Sequence, residues 1–182
     1  MPQNITKIAD YDGWFDAPLG NVEDYFNEVA FKIEKDILRG KDSSDFGLLG
    51  DQVYIALMAD LDINNEPQTA PYINLIDGVN YTANNGEATM FCGLREMLKY
   101  FVYAEYIKDN RLTNFQSGTV NIDQENAVNA ERKEVHRKAH KRWNNGVDLF
   151  NGEVYDYILF YQSSFTNWNF TQQSKYLTLG IK

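Results

Sequence analysis

His136 and His140 are the only histidines in the chain, and the run His-Arg-Lys-Ala-His sets them four residues apart. On a helix that spacing puts both rings on one face, as in a two-histidine zinc site. Arg137 stands where a zinc hydrolase of that type needs its glutamate, and Lys133, Arg137 and Lys141 surround the pair with charge that opposes a divalent cation. A solvated or interfacial face is the expectation. Asp60-Leu61-Asp62-Ile63-Asn64 alternates oxygen ligands as a calcium loop does, but Asn65 replaces the required glycine and Pro71 the bidentate glutamate. Asp10 and Asp12 read as turn residues. Cys92, the single cysteine, can form neither an internal disulfide nor a cysteine-based zinc site, and its apolar neighbours make it a core filler. No phosphate loop, dinucleotide fingerprint or nucleophile elbow occurs. The expectation is no catalytic residue, no metal and no cofactor, and not an enzyme.

The elements that would carry these residues are mainly helical. Val22, Tyr25, Phe26, Val29, Ile33 and Ile37 fall at helical spacing after Asn21, an N-cap residue, and stop at Gly40. The run from about Asp51 to Ala59 is apolar nearly all round, which predicts a buried helix, with a strand over Val53 to Leu57 as the competing reading. Asp77-Gly78 is a turn signal within Tyr72 to Thr82, where a short hairpin, which would fall near residues 72–90, competes with a helical turn. Met90 to Lys108 predicts the central helix, and Asn110 to Asn121 a loop. A charged helix is expected from Asp123 to Trp143, interrupted by Asn144-Asn145-Gly146, and a last one from Val147 to Tyr161 with a weak spot at Asn151-Gly152. The reading is therefore a mainly α, single helical-bundle domain over residues 21–162. An irregular lead-in (1–20) and an extended C-terminal arm (163–182) flank it.

At 182 residues the chain can bury a core without staples. Lys+Arg 17 against Asp+Glu 26 gives a net charge of -9, the wrong sign for a general nucleic-acid coat. No apolar run approaches the roughly 18 residues of a membrane helix, and the start Met1-Pro2-Gln3-Asn4 has no leader pattern, so a cytoplasm-like compartment and no membrane partner are expected. The charge is segregated: residues 1–60 carry 12 acids and 5 bases, 61–120 carry 7 and 4, and 121–182 carry 7 and 8. Arg132, Lys133, Arg137, Lys138, Lys141 and Arg142 crowd one helix, which reads either as a solvated face or as a contact for an acidic protein surface, the latter expected in preference to DNA. Aromatics make up 14 % of a chain whose mean hydropathy is -0.50. Trp14, Phe15, Phe165, Trp168, Phe170 and Tyr176 lie in segments that offer no local burial, so these rings are expected at interfaces with neighbouring subunits. A monomeric module that binds ligands through exposed aromatics is the alternative.

Leu75-Ile76-Asp77-Gly78-Val79-Asn80-Tyr81-Thr82 is followed by Phe91-Cys92-Gly93-Leu94-Arg95 and then Leu98 to Ile107 with Asn110. A loop with Gly118 and a polar helix with Glu125-Asn126 come next. Across residues 45–130 this order of pieces resembles the head-tail connector (neck adaptor, or ring) proteins of tailed bacteriophages, those of Bacteroides-infecting, crAss-like phages in particular. The resemblance implies a helical-bundle virion protein of the neck, assembled in the host cytoplasm. It further implies a homo-oligomeric, dodecameric ring that contacts the portal protein and a downstream neck or tail protein. Double-stranded DNA would pass through its lumen without specific binding. The family has no catalytic residues to carry over.

Overall fold

The computed structural model describes residues 3–11, 14, 23–40, 47–113 and 122–165, without the side chains of 23, 109–113 and 122–132. The fold is mainly α with one short hairpin. Its helices are α1 (Glu23–Leu38), α2 (Gly50–Asp60), α3 (Ala70–Asp77), α4 (Leu94–Thr113), α5 (Ile122–Leu149) and α6 (Tyr155–Tyr161). Strands β1 (Val79–Thr82) and β2 (Ala88–Phe91) pair antiparallel, Val79 opposite Phe91.

Helix α4 is the axis. Leu94, Met97, Leu98, Phe101 and Ala104 face a large core built with α2, α3, the hairpin, α5 and α6. Val102, Tyr103 and Tyr106 face a second, aromatic core with Tyr11, Phe26, Val29 and Ala30. A helix apolar on most faces has to be surrounded. The first core stacks Phe91 on Tyr157 at 3.9 Å and sets Phe101 edge-on to Trp143 at 4.7 Å.

Several boundaries differ from the sequence expectation. Asp77-Gly78 ends α3 and is not the hairpin turn: Gly78, at φ 88°, donates its N–H to the Asn74 carbonyl. The turn lies at Asn84-Asn85-Gly86, closed by Ala83 N–H donating to Glu87 O at 2.9 Å. Met90 and Phe91 belong to β2, so the central helix starts at Leu94. At its other end α4 continues through Asn110 to Thr113, where a loop was expected. The competing strand over Val53 to Leu57 is helix α2.

Helix α5 runs through Asn144-Asn145-Gly146 unbroken to Leu149. Gly146 is there for packing, because a Cβ at that position would sit 2.9 Å from Cζ of the buried Phe101 ring. The discontinuity comes later, as a π-helical segment at Phe150–Val154 around Asn151-Gly152. One extra residue in that turn keeps Phe150 and Val154 in line with Tyr157 and Ile158 on the buried side.

Both ends of the described chain are built into the body. Ile5 and Thr6 are fully buried, and Thr6 N–H, Thr6 Oγ1 and Ile5 N–H all donate to the Glu34 carboxylate of α1. Phe165, expected on an arm that docks elsewhere, is 8 % exposed and packs on Tyr72 and Tyr161 after a 3-10 turn at Gln162–Ser164.

The two glycines of the α5–α6 region should respond oppositely to substitution. No atom lies within 4 Å of a Cβ built at Gly152, so Gly152→Ala should raise the unfolding free energy by up to about 1 kcal/mol through helix propensity. Gly146→Val should lower it by about 1–3 kcal/mol by overpacking Phe101, and urea denaturation of the two variants measures both effects.

Candidate functional site

The basic face of α5 is the surface on which sequence and structure converge. Val135, Ala139, Trp143 and Phe150 point into the body, which leaves Lys133, Arg137, Lys138 and Lys141 exposed. Arg137 is held by Glu134, one turn away, at 2.7 and 2.8 Å. The Arg132 side chain lies outside the described residues. His136 and His140 are exposed on the same helix. Among the described residues no group of three or more His, Cys, Asp or Glu is placed to hold a metal.

Trp14 joins this face to the N-terminal segment. Its carbonyl accepts a 2.6 Å hydrogen bond from the Tyr103 hydroxyl, and its ring packs edge-on against Tyr11 and Tyr103 at 5.7 and 5.4 Å. The Arg142 guanidinium lies 4.4 Å from the centre of the Trp14 ring and 5.6 Å from that of Tyr103, and Lys99 Nζ is 5.3 Å from Trp14. These are cation–π distances. Trp14, half-buried, thus packs on its own chain, and Phe165 is buried against its own chain. Phe15, Trp168, Phe170 and Tyr176 lie outside the described residues.

A groove of about 350 Å³ opens beside this stack. Trp14 and Tyr103 contribute its aromatic part, and Arg137, Lys138, Lys141, Arg142 and Asn145 of α5 contribute the rest. Sequence reasoning placed the cations but missed the groove, because the ring that completes it comes from a segment 128 positions from Arg142 by residue number.

Two other polar clusters fix the fold around the groove. Arg95, at the start of α4, reaches Glu66 at 2.5 Å, Asp77 at 2.9 Å and Asp10 at 3.8 Å, and Lys7 also pairs with Glu66. Asp60 and Asp62 serve the loop between α2 and α3. Asp60 accepts from Gln68 and Thr69 N–H, and Asp62 from Asn64 and Glu66 N–H. The oxygen-rich run is therefore a loop staple. Cys92 is half-buried between β2 and α4, and burial, reinforced by the Glu153 carboxylate, pushes its thiol up to about 12, which keeps it protonated and unreactive at neutral pH.

Residues 47–178, most of the chain, match DUF6712, a family of unknown function. The chain belongs to the DUF6712 family. The matched span takes in α2 through α6, while the N-terminal segment, α1 and Trp14 precede it. No curated protein and no solved structure matches. Among the described residues no helix is long and apolar enough to cross a membrane.

Burial pushes the Glu34 carboxyl from its ordinary 4.5 to about 7, against the opposing effect of the hydrogen bonds from Thr6 and Ile5. The folded chain therefore holds this proton more tightly than the unfolded chain. Glu34's contribution to stability is full below about pH 4.5 and is lost as pH rises through about 7. Denaturation at pH 5.5 and pH 8 should show the wild type losing stability across that interval relative to Glu34→Gln, by about 1–3 kcal/mol.

Proposed function

We propose that the chain is a structural subunit of a ring in the neck of a tailed-phage particle, where it joins the portal to the tail components and extends the DNA channel. The observation that carries the reading is the outer face of α2. Val53, Tyr54 and Leu57 are buried on its inner side, yet Ile55 is 60 % exposed, and Ala56 and Ala59 are exposed beside it. The expectation of a wholly buried α2 is met on one side only. Ile63, 97 % exposed in the following loop, and Ile73 of α3 add to the uncovered apolar surface. The outer face of α2 is polar at Asp51 and Gln52 and apolar from Ile55 to Ala59, and a second subunit covers the apolar part.

A closed ring needs two different, complementary patches on each subunit. The apolar α2 face supplies one, and Met90 of the hairpin, 65 % exposed, offers an apolar protrusion to meet it on the neighbouring subunit. The assignment to the neck rests on the resemblance over Leu75 to Thr82, Phe91 to Arg95 and the α4 sequence. In this reading α5 faces protein, and DNA slides past a wall that does not grip it.

Sedimentation velocity and electron microscopy of the purified protein, alone and with a portal protein, test the proposal. A ring is the expected result, and Ile55→Asp should reduce assembly while the circular-dichroism melt stays unchanged. A monomer at every concentration, with or without the portal, would overturn it.

A further inference from the structure

We infer that the groove between Trp14 and α5 is a carboxylate-recognition site, which binds an acidic peptide segment of a partner chain through Arg142 and Lys141. The inference extends the reading of α5 as a protein-facing helix and does not require the ring. Arg142 is preset for the task. Its guanidinium carbon lies 4.4 Å from the centre of the Trp14 ring and 5.6 Å from that of Tyr103, so two rings hold the group beside the groove. No carboxylate among the described residues pairs with Arg142 or Lys141. A guanidinium held against rings, with no carboxylate partner among the described residues, matches the two oxygens of one carboxylate.

Three observations select a peptide over a nucleic acid. The aromatic faces on which a base would stack are occupied by Arg142. A groove of about 350 Å³ admits one or two side chains, whereas a polyphosphate backbone would run on across a chain of net charge -9. Asn145 offers both an amide donor and an acceptor to a peptide backbone alongside the cations.

Calorimetric titration of the full chain with a short oligo-glutamate peptide tests the site. Saturable one-to-one binding is expected. Lys141→Ala and Arg142→Gln should each weaken it by about tenfold. Lys32→Ala, which removes the same charge from the exposed face of α1, should change it less than about twofold. Lys141 is exposed, so its variant keeps the test valid if Arg142→Gln proves unstable. The inference is overturned by no binding, by equal weakening in Lys32→Ala and Lys141→Ala, or by single-stranded DNA or inorganic phosphate binding as tightly as the peptide. Because binding is counted per subunit whether or not the subunits assemble, its failure is distinguishable from failure to form a ring.

Discussion

Helix α4 carries apolar side chains around most of its circumference, and such a helix gains little unless most of that circumference is taken out of water. The rest of the molecule is arranged as the jacket this demands. Helix α1 and the N-terminal segment close one side through Phe26, Val29 and Tyr11, and α2, α3, the hairpin and the α5–α6 limb close the other through Leu57, Leu75, Phe91 and Tyr157. The aromatics that make the composition unusual are mostly lining in this jacket. Rings meeting edge-on or stacked fill the space between elements that share few neighbours in sequence.

Two ionisable groups inside the jacket show how context decides the fate of a charge. Arg95 is surrounded by carboxylates from three segments, and its planar fork holds the N-terminal segment, the α2–α3 loop and the end of α3 in register with α4. Glu34 receives only hydroxyl and amide donors, with no cation in contact among the described residues. Opposite charge keeps the first ionised, and desolvation brings the second to the edge of neutrality. Both act as position markers more than as sources of stability, since a buried ion pair seldom outweighs its own desolvation.

The mainly α class and the central place of α4 were legible because both follow from periodicity in contiguous stretches. Breaks misled where a small residue served a distant partner. Gly146 looked like a stop and is instead the hollow that receives Phe101, and at Asp77-Gly78 the helical turn prevails over the competing hairpin. Gly78 and Gly93 explain each other in the same way: a Cβ on Gly93 would meet the Gly78 nitrogen at 2.6 Å, while one on Gly78 would meet the Phe91 carbonyl oxygen at 2.3 Å. The cationic face of α5 was readable from its charges, but its aromatic partner was not. Trp14 lies in a segment without periodicity, and only the tertiary fold brings it to Arg142.

The distance along the chain between those two residues sets an order of events. Tyr103 fixes Trp14 across 89 residues, and Arg142 comes later still. During synthesis the N-terminal segment emerges first and waits, since contacts of such separation form late and close the largest loops. Until the segment around Trp14 and helix α5 have both been gathered onto α4, Arg142 has no ring to lie on. The groove is therefore a mark of completed folding, and whatever engages it engages finished subunits in preference to nascent ones.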